Sequence, residues 1–260
     1  MAPTMYLFVC LAVFVAGYCL TLGYTSVFYH RGFTHGSLTL QPWLRRFVAA
    51  TGTWVTALDA KAWSCMHRRH HRFADTPQDP HSPVHVGFFG VMGAQVRSYE
   101  NTVAGLVSGD ARYTDEVVDL DFPVHWLNRR GLWYAPTVLH LGIGLGLGLG
   151  LGLWLLGAAY AAGMLSHPFQ GFVVNAFGHR FGGRNFETPD QSRNNLLVAA
   201  LVFGEGLQNN HHRFPASARF SYRRREIDLG YVWCLGLEKL RCLSIHRELL
   251  MPRRAAGGLA

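Results

Sequence analysis

Eight of the chain's fourteen histidines fall in three short runs and one isolated position. His30 and His35 bracket H-R-G-F-T-H, and His67, His70 and His71 form H-R-R-H-H. His211 and His212 close Q-N-N-H-H, and His179 stands alone after a long apolar stretch. Neutral imidazole ligates iron, zinc and copper near pH 7. Residues at i, i+3 and i+4 share one face of a helix, so the second run can aim three rings at a common point. A lone histidine is most simply a satisfied polar residue, but eight in this arrangement point to a metal centre. They exceed the four ligands of a tetrahedral zinc. They suit two metals sharing a site, each with open positions for a small oxidant, and iron is the natural choice where that oxidant is dioxygen. Such a site attacks unactivated carbon–hydrogen bonds, which ordinary side chains cannot do.

The elements that position these runs follow from charge and hydropathy. The 260 residues are 49% hydrophobic and only 15% charged, too few charges for an ordinary soluble domain. Residues 1–30 and 131–179 contain no Asp, Glu, Lys or Arg. The first gap supports one retained membrane helix over about 5–29, lacking the basic start and small-residue cleavage site of a signal peptide. The second supports two more, about 132–156 and 160–178, with a tight turn near Gly157 to Gly163. The alternating Leu-Gly run at 141–153 reads as a membrane helix, because an isolated strand cannot satisfy its backbone in lipid. Residues 43–58 carry apolar side chains at helical spacing beside Arg45, Arg46 and Lys61, the pattern of an interfacial helix. Leu196 to Phe203 reads as a shorter buried or interfacial helix leading to the third run.

The predicted architecture is an all-α integral membrane protein with about three transmembrane helices, interfacial helices and a cytoplasmic histidine-rich helical cap. It forms a single domain over 1–260 with a disordered tail at about 253–260. All eight histidines fall on one side of the three spans, together with every Lys and Arg, so the positive-inside rule makes that side cytoplasmic. Membrane-surface contact accounts for the net charge of +8 without nucleic acid. The 22 Arg against two Lys suggest a high-GC bacterium, hence a bacterial inner membrane. The five cysteines form no C-x-x-C pair, which excludes a zinc ribbon or iron–sulfur motif.

The runs, their order and their flanks resemble the membrane fatty acid desaturases, specifically the acyl-CoA Δ9 (stearoyl-CoA) branch and its bacterial relatives. The matching text is Y-H-R-G-F-T-H, H-R-R-H-H-R-F-A-D-T-P-Q-D-P-H-S-P, N-A-F-G-H-R-F-G and G-E-G-L-Q-N-N-H-H-R-F-P, within about residues 20–240. The resemblance implies a diiron centre that removes two hydrogens from adjacent methylenes, using dioxygen and two external electrons. His30, His35, His67, His70, His71, His179, His211 and His212 would be the iron ligands. Asn175 would hold an iron through a water, its plainer role being a helix-end polar residue. Asp79 and His81 would lie near the substrate head group, the alternative being a simple Asp-Pro turn. Phe14 and Tyr18 share a face in the region that closes the acyl tunnel, where packing or lipid contact is the simpler role. Glu205 is placed to orient a ligand histidine, with a helix-end acid as the alternative.

Two departures stand out. Gln208 occupies the position of a histidine in the third box; its amide oxygen would ligate weakly or through water. One span, not two, precedes the first box. The chain has no cluster or nucleotide loop for electrons, so a ferredoxin or cytochrome b5-like donor is implied, acting with an acyl substrate on CoA, acyl carrier protein or lipid. A related histidine-box hydroxylase or ketolase would use the same ligands. A metal-handling membrane protein should place its ligands within the spans, and here they lie outside.

Overall fold

The structure, a computed structural model, describes residues 2–250; the tail expected at about 253–260 lies outside the described residues. The chain is mostly helical. Its amino-terminal helix, Pro3–Leu22, starts with proline in its first turn, where no amide partner is lost. It then continues without a break as a π-helix, Gly23–Thr34. This joined helix, Pro3–Thr34, is long and apolar enough to cross a membrane. It is the only such helix among the described residues.

The second apolar gap folds into three pieces, Ala135–Leu151, Trp154–Met164 and His167–Phe172, the last continuing as a π segment, Val173–Phe177. The turn expected near Gly157 to Gly163 is instead at Gly152 and Leu153, where Gly152 adopts φ +68°. Gly157 and Gly163 are helix contacts. A Cβ on Gly144 would lie 2.8 Å from the Gly157 carbonyl oxygen, and one on Gly163 would lie 2.6 Å from that of Phe14. Absent side chains let the backbones touch. The Leu-Gly run therefore has two faces: Gly144 and Gly148 meet the next helix, while Gly142, Gly146 and Gly150 face open space.

The histidine-bearing elements gather at the far end of the amino-terminal helix. Pro42–Thr56 follows the first run, with Trp43 and Phe47 exposed and Leu44 and Val48 buried. Ala60–Phe73 carries the second run; its N-cap, Asp59, accepts from the Ala62 amide at 2.7 Å and secures the first turn. The third run occupies a short helix, Gln208–Arg213. The mostly helical fold agrees with the all-α expectation and carries one small two-stranded ribbon besides. Leu38–Leu40 (β1) and Leu243–Ile245 (β2) pair antiparallel, Leu38 opposite Ile245 and Leu40 opposite Leu243. Their inward side chains alternate as the period-2 pleat requires, joining a core with Val27, Tyr29, Phe33 and Leu44. All five cysteines are free.

Candidate metal centre

The first run owes its geometry to π winding. An α-helix turns about 100° per residue and would splay positions five apart by about 140°. A π-helix closes i→i+5 bonds and brings such positions to within about 50°. The amide of His35 donates to the carbonyl of His30 at 3.1 Å, an i→i+5 bond, so both rings face the same way. From Ala60–Phe73 come His67, His70 and His71, and from Gln208–Arg213 come His211 and His212.

The eight histidines separate into two sets. His30, His35, His67, His71 and His211 bring one nitrogen each within 4.8 Å of one another. His70, His179 and His212 do the same. In the larger set Nε2 of His211 lies 2.9 Å from Nε2 of His30 and 2.8 Å from that of His71, whose Nε2 is 3.0 Å from that of His67. Two nitrogens bound at right angles to one metal, at about 2.1 Å each, sit about 3 Å apart, so this spacing fits a shared ion. In the smaller set Nε2 of His70, His179 and His212 are all buried without a hydrogen-bond partner. Buried polar atoms without partners need an explanation, and three converging lone pairs have one in a metal. The donor set fits two metals.

Carboxylates fix which nitrogen is free. Nδ1 of His30 lies 2.7 Å from Glu205, that of His70 lies 3.0 Å from Asp79, that of His179 lies 2.9 Å from Asp75 and that of His212 lies 2.9 Å from Asp190. An Nδ1–H given to a carboxylate leaves Nε2 as the ligating atom and makes it a better donor. Burial, followed by the neighbouring imidazoles and Arg68, holds His35 well below the usual histidine value. Burial and the adjacent rings do the same to His67, His71 and His211, so all four rings are neutral at pH 7. Burial likewise brings His212 down to about 4, although Asp190 opposes it. Burial raises the Asp75 carboxyl, but the hydrogen bonds from His179 and Ser82 outweigh it and hold the group at about 2.

Glu205 orients His30 from the position its sequence neighbours suggest. Asp79, expected near the substrate head group, is instead bonded to His70 and to the Asp75 and His81 amides. His81 stacks on His70 at 4.7 Å, with Nδ1 buried and unpartnered, and it lines a cavity. Gln208 donates its amide to the Glu205 carbonyl at 2.9 Å, which leaves its oxygen as the atom available to a cation. Asn175 lies in the second π segment and donates to Gln95 at 3.1 Å. Phe14 and Tyr18 pack on each other at 5.9 Å and are absent from the cavity lining; the Tyr18 hydroxyl donates to the Leu201 carbonyl.

The cavity, of about 380 Å³, is predominantly apolar. His30, His67 and Gln208 line it, as do Leu22, Trp133 and Leu165, which belong to the hydrophobic segments. The size and lining suit an alkyl chain.

Several supporting residues are missing from the sequence reading. Arg31 is fully buried and gives hydrogen bonds to Glu205 (2.7 Å), Asp228 (2.9 Å) and the Ala218 carbonyl (2.8 Å) while lying over the Phe220 ring. Asn209 and Asn210 fasten the third-run helix. Asn209 accepts from the Asn185 and Phe186 amides, and Asn210 donates to the Phe220 carbonyl. Trp63 stacks on His67. Asp75 and Asp190 lie four residues or more from any histidine box, and only the acids trailing the second box offered a signal. His140, inside an apolar helix, is satisfied by Tyr160 and the Trp54 carbonyl.

The chain is similar in sequence to known proteins. A family model for fatty acid desaturase matches residues 4–226. The chain is 32% identical over 225 residues to a hex-5-enoyl-[acyl-carrier protein] acetylenase of Moorena producens, covering 83% of this chain and 70% of that protein. It is 33% identical over 240 residues to a probable chloroplastic lipid desaturase of Arabidopsis thaliana, covering 92% and 62%. It is 30% identical over 250 residues to an sn-1 stearoyl-lipid 9-desaturase of a Synechocystis species, covering 95% and 71%. The chain thus spans less than two thirds of the plant protein and about 70% of the other two. With its histidine runs and the greater part of its length matched, the chain belongs to the fatty acid desaturase family.

Proposed function

We propose that this chain is an oxygen-dependent desaturase that introduces a cis double bond, of Δ9 type, into a saturated acyl chain at a centre of two irons. The observation that carries this reading is an apolar cavity that reaches the larger imidazole set at His30 and His67, with the smaller set adjoining it where the rings of His71 and His212 lie 4.4 Å apart. His30, His35, His67, His71 and His211 would hold one iron, and His70, His179 and His212 the other. Gln208 would add an amide oxygen and Asn175 a water-mediated contact. Bound iron would supply dioxygen activation and the removal of two hydrogens from adjacent methylenes, with two electrons from an external ferredoxin or cytochrome b5-like donor.

The chain's own residues bind and orient. Apolar walls around Leu22, Val174 and Leu165 hold the alkyl chain and exclude water from its methylenes. Asp75, Asp79, Asp190 and Glu205 keep each Nδ1 proton in place, so that Nε2 faces the metal. Relatives named for substrates on acyl carrier protein, on CoA and on lipid support a carrier that is CoA, acyl carrier protein or lipid. Crossing by Pro3–Thr34 and by the paired helices after residue 135 would put the histidines on the cytoplasmic side of a bacterial inner membrane. The clustering of Arg on the histidine side supports this.

The test is expression in a desaturase-deficient bacterial host with a ferredoxin system, with mass spectrometry of derivatised lipids and His71→Ala as control. A new monoene lost in the control supports the proposal and locates the bond. An oxygenated product would move the assignment to the hydroxylases. Metal exchange in proteoliposomes without dioxygen, with no lipid product, would mark a metal-handling protein.

A further inference from the structure

The two imidazole sets differ in the charge behind them. In the set of three, every ring has its own carboxylate: Asp79 for His70, Asp75 for His179 and Asp190 for His212. The other partners of these acids are neutral. Asp75 accepts from Ser82 and the Gln191 amide, Asp79 from the Asp75 and His81 amides, and Asp190 from Thr188 and the Ser192 amide. No Lys or Arg pairs with any of them among the described residues.

In the set of five, His30 alone has a carboxylate partner among the described residues. That carboxylate, Glu205, is itself held by the Arg31 guanidinium at 2.7 Å. Asp228 sits on another nitrogen of Arg31 and is in turn bonded to the Phe220 and Tyr231 amides. The rings of His35, His67, His71 and His211 contribute neutral nitrogen only.

From this asymmetry we propose that Asp75, Asp79 and Asp190 are redox-positioning residues, which make the His70–His179–His212 position the one that retains ferric iron while the five-imidazole position is reduced first. The proposal rests on the two-iron reading above. Coulomb attraction scales with the charge of the ion, so three buried carboxylates favour a trivalent over a divalent metal. A carboxylate on Nδ1–H also pushes electron density towards Nε2, strengthening its donation to the higher charge. Neutral imidazoles backed by a compensated carboxylate lack both effects. Each step is a one-electron reduction of one ferric to one ferrous ion, the electron coming from dithionite through a mediator dye.

The experiment uses the purified full chain in detergent, loaded with iron-57 and counted, then reduced stepwise and followed by Mössbauer and electron paramagnetic resonance spectroscopy. The expected result is two irons per chain, two separate one-electron waves, and a half-reduced species with one ferrous and one ferric site. Asp190→Asn keeps an acceptor for His212 but removes its charge; it should raise the lower-potential wave and leave the other in place. Asp75→Asn should do the same at His179, so the prediction survives a failure of either variant to fold. Glu205→Gln should move the higher-potential wave instead. Two irons reduced together in a single wave, or Asp→Asn variants that shift both waves equally, would overturn the proposal. Fewer than two irons per chain in the native protein would overturn the two-iron reading as well, and that outcome is distinguished by the metal count alone.

Discussion

Arg31 and Glu205 meet at 2.7 Å inside the protein, and the other oxygen of Glu205 lies 2.7 Å from Nδ1 of His30. The pair ties the first histidine run to the loop before the third, so the larger imidazole set depends on a cation that touches none of its rings' ligating nitrogens. The same guanidinium explains Gly230, where a Cβ would sit 2.7 Å from an Arg31 nitrogen. Replacing Arg31 by Met leaves Glu205 and Asp228 buried without their counter-charge. The expected cost is about 3–5 kcal/mol, read from chemical unfolding in detergent. Arg31→Lys keeps the charge but not the fork and should fall between.

Ligand removal should separate the two sets. His179→Ala should lower the iron content from two per chain towards one, measured by plasma emission spectroscopy, and abolish the monoene product. Gln208→His offers imidazole where an amide now stands and should slow iron release to a chelator, by about tenfold if it gains a full ligand. Equal release rates for Gln208→His and the native chain would remove Gln208 from the coordination proposal.

Acid should destabilise the metal-free protein well above the carboxylate range. Burial holds His35, His67, His71 and His211 well below their ordinary value, and His212 at about 4. The unfolded chain therefore binds more protons once pH drops below about 6.5, and stability falls with it towards pH 4. His70 works the other way: burial lowers it, but Asp79 outweighs burial and raises it. One raised ring against five lowered ones leaves the sign unchanged. The thermal midpoint of the metal-free chain should decrease from pH 7 to pH 5; a flat profile would contradict the neutral-imidazole assignment.

The glycine run permits a paired test. A Cβ at Gly157 would run into the Gly144 carbonyl, whereas Gly146 faces open space. Gly157→Leu should force the two helices apart at about 1–3 kcal/mol or more. Gly146→Leu, on the open face, should leave the thermal midpoint in detergent unchanged.

Cavity shape should set the acyl length. Thr137 lines the wall beside Trp133, away from the histidine runs in sequence. Thr137→Trp fills part of a space of about 380 Å³ and should shift the product profile towards shorter chains, with iron content unchanged.

Much of the centre could be read from residue spacing because His67, His70 and His71 obey the i, i+3, i+4 rule of a regular helix. The same H-R-R-H-H run nevertheless divides between both imidazole sets: His67 and His71 join the larger and His70 the smaller. The first run was legible as chemistry but not as geometry, since positions five apart align only under π winding. Asp190 and Asp75 reach their rings through tertiary contacts across 22 and 104 positions, which no local pattern encodes. The resemblance places Asp79 near the substrate head group, with a simple turn as the alternative; the chain does turn there, and the turn brings the carboxylate to His70. The turn in the second apolar gap was misplaced because Gly157 and Gly163 are small for packing reasons, while Gly152 is the glycine in the left-handed region.

The pairing of β1 with β2 has a consequence in time. Leu38–Leu40 follows directly on the first histidine run, yet its hydrogen-bonding partner, Leu243–Ile245, is some two hundred residues downstream. A chain leaving the ribosome presents its apolar helix, His30 and His35 long before that partner strand is synthesised. Until residue 245 emerges, the edge beside the first run is an open strand awaiting closure, and so distant a closure is slow. The two strands are thereby set at opposite ends of biosynthesis, β1 among the first parts of this chain to be made and β2 among the last.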